Sequence, residues 1–289
     1  LISIVWYNIN MDYGGSMNLL DNLNKEQLEA VKVNNGPCLV IAGAGSGKTK
    51  VLTTRIAYLI QNGIYSSHIL AITFTNKAAK EMRERLDNLV DENYSFVGTF
   101  HSFGLRVIKE NYSLFNLTKN FTIIDSDDSL NIIKKLMKDL DIDPKFVSPG
   151  FIKNKISFIK NNMLNDSEIE RFLSSEQESY ATKVYYEYEK LLKRNNSLDF
   201  DDLLKKPVEL FTNNDEILDK YQEKYQYILI DEYQDTNEVQ YKLVKLMASK
   251  YRNLFVVGDA NQSIYAFRYA NYKNILNFEK DYPEAKVIT

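Results

Sequence analysis

The chain has 289 residues, 44% of them hydrophobic and 26% charged, with 36 basic against 39 acidic side chains and a net charge of −3. That is enough apolar material for a sizeable core divided between two units, and it excludes a global basic signature, so any contact with nucleic acid must come from local patches or aromatic stacking. The single Cys38 excludes a disulfide framework and a cysteine-based metal site and suits a reducing cytoplasm, while no run approaches the ~18 apolar residues of a membrane span.

In chain order, residues 1–16 carry an apolar patch from Leu1 to Trp6 without the basic leader or small-residue cleavage site of a secretory signal, and are read as an extension with Met17 as the expected start. The apolar run Cys38 to Ile41 predicts a strand. Directly after it comes Ala42-Gly43-Ala44-Gly45-Ser46-Gly47-Lys48-Thr49, the pattern of a phosphate-binding loop with Ala42 in place of its first glycine. Glycines let backbone wrap closely around phosphate oxygens, Lys48 is long enough to reach terminal phosphates, and the Thr49 hydroxyl can ligate Mg²⁺. A helix from Thr49 onward aims free N–H groups at the same anion. The bland reading of this stretch is a glycine turn before a helix.

Further strands are predicted near Ile69 to Thr73, Phe96 to Thr99, Tyr227 to Asp231, Leu254 to Gly258 and Val287 to Thr289, with helices after all but the last. This alternation describes an α/β fold whose parallel sheet is covered on both faces. Between about Asn111 and Asn196 the pattern turns helical, with a start at Asp127-Asp128-Ser129-Leu130, breaks at Pro144 and Pro149, and a long helix from Glu176 to Arg194. Lys153, Lys155 and Lys160 cluster there as candidates for phosphate-backbone contact, against the commoner reading of a solvated helix face. The carboxylates of Leu198-Asp199-Phe200-Asp201-Asp202 read as a helix cap and first turn rather than a catalytic pair. The apolar run Tyr227 to Ile230 ends in Asp231-Glu232, at the strand end where open α/β sheets bind ligands. Beside a phosphate loop, Asp231 can hold Mg²⁺ through water and Glu232 can orient and deprotonate an attacking water.

The words around these two elements resemble the UvrD/PcrA/Rep group of superfamily 1 DNA helicases. Asp231-Glu232-Tyr233-Gln234-Asp235-Thr236-Asn237 is similar to motif II of that group, and Val257-Gly258-Asp259-Ala260-Asn261-Gln262-Ser263-Ile264-Tyr265 to motif III. Leu23 to Gln27 resembles its adenine-reading Q motif, Thr73 to Ala79 its motif Ia, and Gly98-Thr99-Phe100-His101-Ser102 its motif Ib. These stand in the group's order from about Asn18 to the chain end. Two departures follow motif III: Phe267 stands where the group commonly has Trp, and Tyr269 where it has Gly. The chain also stops at Thr289, where the group's next motif begins, so that motifs IV to VI and the second motor domain are absent from it.

The resemblance implies a RecA-like motor domain, 1A, from 17–110 and 197–289, interrupted by an all-helical subdomain, 1B, at 111–196. It implies ATP and Mg²⁺ as cofactors, single-stranded DNA and single-strand/double-strand junctions as partners, 3′ to 5′ translocation and a cytoplasmic location. Lys48, Asp231, Glu232 and Gln262 become the catalytic set, with Gln262 sensing the γ-phosphate. The nucleotide is held by Gln27 at the adenine edge, by Ala44, Gly45, Ser46, Gly47, Lys48 and Thr49 around the phosphates, and by Lys50 near base or ribose; Thr49 and Asp231 serve Mg²⁺. DNA is expected against Phe74, Asn76, Thr99, His101, Tyr265 and Phe267, since stacking on aromatics holds single strands with little sequence preference. His101 reads as a hydrogen-bonding residue rather than a metal ligand, the only other histidine being His68. With the group's arginine fingers on the missing domain, this stretch alone is expected to be a poor ATPase and no helicase. A nucleotide-dependent DNA-binding module without turnover is the alternative; a GTPase or kinase is disfavoured, because Asn76-Lys77-Ala78-Ala79 lacks the Asp of a guanine-reading Asn-Lys-x-Asp.

Overall fold

The computed structural model describes residues 19–33, 35–43, 45–259 and 278–289. Six strands, β1 (Cys38–Ile41), β2 (Ile69–Thr73), β3 (Phe96–Thr99), β6 (Tyr227–Ile230), β7 (Asn253–Gly258) and β8 (Lys286–Ile288), form one sheet in the order β3-β2-β6-β7-β1-β8. Every neighbouring pair in it is parallel. The strand ends therefore all point to one edge of the sheet.

Side chains of successive strand residues go to opposite faces, and both faces are buried, which is why the strands read as unbroken apolar runs rather than alternating ones. Leu39, Ile72, Ile228, Ile230, Leu254 and Val256 join one core, shared with α4 (Phe100–Glu110), α9 (Asp202–Asn213), α10 (Asp215–Lys224) and α11 (Glu238–Ala248). Cys38, Val40, Ile69, Ala71, Leu229 and Val257 join the other, under α1 (Lys25–Val31), α2 (Lys48–Gln61) and α3 (Asn76–Asp87).

Between α4 and α9 the chain builds a third core of its own from α5 (Ser126–Asp139), α6 (Pro149–Asn161), α7 (Asp166–Phe172) and α8 (Glu176–Arg194), centred on Ile133, Ile152, Ile159, Val184 and Tyr188. Beside these helices, β4 (Thr122–Ile123) pairs in parallel with β5 (Ser197–Leu198) where the chain enters and leaves the segment. The helix expected from Asp127 starts one residue earlier, because Asp125 is its N-cap and accepts from the amides of Asp127 and Asp128. Pro149, expected to break helix, opens α6 instead: its missing N–H falls in the first turn, where no intrahelical bond is due, and Ser148 supplies the cap. Among the described residues no helix is long and apolar enough to cross a membrane.

Candidate functional site

Parallel pairing sets the C-terminal ends of β1, β2, β3, β6 and β7 along one edge, and the phosphate loop and the motifs that begin at Thr73, Gly98, Asp231 and Val257 start there. After β1 the backbone is tied to its neighbour by Ala42 N donating to Gly258 O at 3.0 Å, and the loop closes on itself through Ser46 Oγ donating to Gly43 O at 2.7 Å. Gly45 and Gly47 take φ of +75° and +83°, left-handed values that a Cβ disfavours. Gly47 is also the N-cap of α2 and offers no capping side chain, so the first-turn amides of a 14-residue helix face the loop. Ala44 lies outside the described residues.

Lys48, the first residue of α2, places Nζ 3.2 Å from Glu232 Oε2 and 3.8 Å from Asp259 Oδ2. Three separate strand ends thus meet at one ammonium. Asp231 continues β6 by one bond, its N donating to Ile72 O at 3.0 Å, and its side chain is buried with Oδ1 accepting from Glu232 N. Burial first, and the charge of Glu232 second, push the Asp231 carboxyl up to about 6, while Lys48 and a hydrogen bond with Thr49 act the other way. Glu232 turns the chain with φ +47° and ψ +46°, a conformation uncommon outside glycine and asparagine and typical of functional turns. Its Oε2 accepts from Gln234 Nε2 at 2.8 Å, and Gln234 Oε1 in turn accepts from Asp259 N at 2.9 Å. Gln234 and Asp259 were not assigned roles from sequence; their only signal was membership of the two motif words, and it is the β6–β7 pairing that brings them together.

The donor set suits Mg²⁺. That ion takes one or two protein oxygens and completes its shell with water and phosphate oxygens, and the buried Asp231 carboxylate gains from a cation beside it. No cluster of three or more His, Cys, Asp or Glu able to hold a metal occurs among the described residues.

Gln27 sits at the third position of α1 in a capping box with Asn24, its Oε1 accepting from Asn24 N at 3.1 Å and its Nε2 donating to Ser46 O at 2.9 Å. The amide is therefore engaged with the phosphate loop itself. Lys50 is likewise turned back, donating to the Asn22 carbonyl.

Of the residues expected against DNA, Phe74 stands half-buried after β2 with its ring edge-on to Phe100 at 5.5 Å. Asn76 is exposed at the start of α3, behind the capping Thr75. Thr99 is committed structurally: its hydroxyl caps α4 by accepting from Ser102 N, and Ser102 Oγ accepts from Thr99 N. The His101 ring stacks on Phe200 with centroids 3.9 Å apart and planes 19° from parallel, and burial holds its pKa down to about 4, so it is neutral near pH 7. Phe200, 56% exposed, was not singled out from sequence, where it read as one of 15 phenylalanines in an acidic stretch. Gln262, Tyr265 and Phe267 lie outside the described residues.

The lysine cluster of the helical segment is corrected. Lys160 is wholly buried, with Nζ 2.7 Å from Glu189, 2.8 Å from Asp199 and 3.0 Å from Asp202, and cannot face a phosphate backbone. Burial opposes its charge, but the three carboxylates outweigh that and hold its pKa well above the ordinary value. Lys155 pairs with Glu178 at 2.6 Å, and Lys153 donates to Ser126 O at 2.9 Å. Asp202 opens the first turn of α9, but the N-cap position, Asp201, makes no side-chain cap bond; Asp199 and Asp202 instead bond each other's amides reciprocally and also serve Lys160.

The sequence matches the UvrD/REP helicase N-terminal domain over residues 23–283. It is 47% identical over 273 residues to the ATP-dependent DNA helicase PcrA of Staphylococcus aureus strain Mu50, and equally to that of Staphylococcus epidermidis strain ATCC 12228; in both comparisons 93% of this chain is covered. It spans 37% of the length of these curated relatives. With the motifs, the parallel sheet and the edge on which the loops converge in agreement, the chain belongs to the UvrD/REP helicase N-terminal domain family.

Proposed function

We propose that this chain is the ATP-binding part of a DNA helicase motor that translocates 3′ to 5′ along single strands in the cytoplasm and works at single-strand/double-strand junctions. The observation that carries the reading is the convergence of Lys48, Glu232 and Asp259 from three strand ends, with the buried Asp231 beside them. The relatives' printed name, ATP-dependent DNA helicase, supports it.

The loop amides and Lys48 hold the phosphates, and Thr49 with Asp231 holds Mg²⁺, which when bound neutralises charge on the phosphate oxygens. Lys48 leaves its 3.2 Å pairing with Glu232 as it engages phosphate, and this frees the Glu232 carboxylate to take a proton from water. Gln234 keeps that carboxylate aimed, since it holds Oε2 from one side and the Asp259 amide from the other. Gln27, released from Ser46 O, reads the adenine edge, Lys50 lies by the base or ribose, and Gln262 senses the γ-phosphate. Phe74, Asn76, Thr99, His101, Tyr265 and Phe267 face the single strand. Residues 17–110 and 197–289 form the motor domain and 111–196 the inserted subdomain.

Calorimetry with ATP on two variants tests the nucleotide site. Lys48→Ala is expected to weaken binding at least about tenfold, a lost charge-assisted contact being worth about 1.5–3 kcal/mol, while Glu232→Gln keeps affinity and loses turnover. Equal loss of affinity in both contradicts the assignment, and full affinity without turnover in the unaltered protein indicates a nucleotide-dependent DNA-binding module instead.

A further inference from the structure

The last turn of α6 leaves the third core and enters the segment that carries the carboxylates. Asn161, 8% exposed, accepts at Oδ1 from Asn237 Nδ2 at 3.0 Å and donates from its own Nδ2 to Asp201 Oδ1 at 2.9 Å. Asn237 is the N-cap of α11, its Oδ1 accepting from Gln240 N at 3.0 Å. Three residues upstream, Gln234 grips Glu232; between them Asp235 N donates to Glu232 O at 2.9 Å, and Thr236 Oγ1 donates to Tyr233 O at 2.7 Å. Beside Asn161, the buried Lys160 is seated among Glu189, Asp199 and Asp202. The anchor therefore has little freedom to turn, because moving Asn161 would pull a buried ammonium away from its carboxylates.

We propose that the Asn161–Asn237 hydrogen bond is a positioning contact through which the helical insertion sets the 231–237 segment, and with it the aim of the Glu232 carboxylate. It rests on the reading of Glu232 as the base for ATP hydrolysis. The physical case is that segment 231–237 has little regular structure of its own: a left-handed Glu232 and one 3₁₀ turn, Tyr233–Asp235, lie between β6 and α11. Such a stretch keeps one geometry only when its ends are held. β6 holds one end, and the other, at Asn237, is held by α11 and by α6 together. Asn161 and Asn237 are positioning residues, since neither touches the reacting atoms.

The test uses the intact protein with Asn237→Ser, Asn161→Ala and both together. Serine is a good N-cap, so Asn237→Ser keeps the start of α11 and withdraws only the amide. Each single variant is expected to lower kcat for ATP about tenfold with KM within about twofold, a misaimed base rather than a lost binding group. The double variant is expected to fall no further than either single, as for two halves of one contact. In the nucleotide-free protein, the amides of Asp235 and Thr236 are expected to exchange hydrogen about tenfold faster in each variant, while the amides inside α11 keep their protection. An unchanged kcat in both singles, losses that multiply in the double, or unchanged exchange at 235 and 236 would each overturn the proposal. If the parent protein shows no ATP turnover, the hydrolytic reading itself fails, and the exchange measurement alone then decides whether the contact sets the segment.

Discussion

At the level of single residues the site is built against stability. Asp231 is buried beside Glu232, with its carboxyl pushed up by burial and by that neighbour, and Glu232 holds a left-handed backbone. Asp231→Asn keeps an oxygen for the Glu232 amide and removes the charge, so the nucleotide-free variant is expected to gain about 1–2 kcal/mol at neutral pH while losing Mg²⁺-dependent hydrolysis. Thermal melts without nucleotide check this, and a lower melting temperature in the variant would refute it. His101 offers a pH test. Its folded-state pKa of about 4 lies below the ordinary 6.5, so the unfolded chain takes up the proton first. The neutral ring's contribution to stability is complete above about 6.5 and is lost as pH falls toward 4. With two histidines in the chain, proton NMR resolves each ring, and a His101 midpoint near 6.5 would contradict the lowered value. In the proposed DNA contact a neutral ring would add no counterion release, so His101→Asn is expected to leave the salt dependence of any DNA binding unchanged.

Among the elements, α4 and α9 approach each other closely at Gly104. A Cβ added at Gly104 would stand 1.8 Å from the Leu203 carbonyl oxygen. That carbonyl is exposed to α4 for a definite reason: Pro207, four residues on inside α9, has no N–H to donate to it. Gly104→Ala therefore forces the two helices apart and is expected to cost about 2–4 kcal/mol, read as a lower urea midpoint. Sequence reasoning located both helices only broadly here. A proline within a helical pattern reads as a stop, and it is the carbonyl's packing against a glycine 99 residues earlier that makes its place inside α9 tolerable. The six strands of the main sheet, in contrast, were legible to within a residue or so, because burial on both faces leaves an apolar run that needs no partner to be recognised; β4 and β5, two residues each, were not, and β4 falls within the segment expected to be all-helical.

Across the whole molecule, the helical segment keeps a core of its own and meets the sheet-bearing part through the polar contacts around Lys160 and through an apolar cluster in which Leu117 packs with Ile108, Leu198 and Leu203. A buried cation among three carboxylates is costly to break from one side. Lys160→Met is expected to destabilise by about 3–5 kcal/mol, and adding Asp199→Asn with Asp202→Asn to recover much of that. Chemical denaturation of the single and triple variants checks the pair of outcomes; a harmless Lys160→Met would show that the cluster contributes little.

Local order alone determined the phosphate loop, the strands and the acidic strand end, because each is written in consecutive residues whose backbone needs and side-chain reach are settled within a few positions. The tertiary structure decided which side chains meet. Lys48 faces Glu232 and Asp259 because β1, β7 and β6 lie side by side, an order that no single segment carries. Lys160 looked like a solvated lysine and proved buried, since its partners Asp199 and Asp202 are about forty residues away. His101 stacks on Phe200, and Asn161 found Asn237 across 76 residues of chain. Burial and charge pairing are properties of neighbours in space, and a chain read in order shows neighbours only when it is itself the path between them.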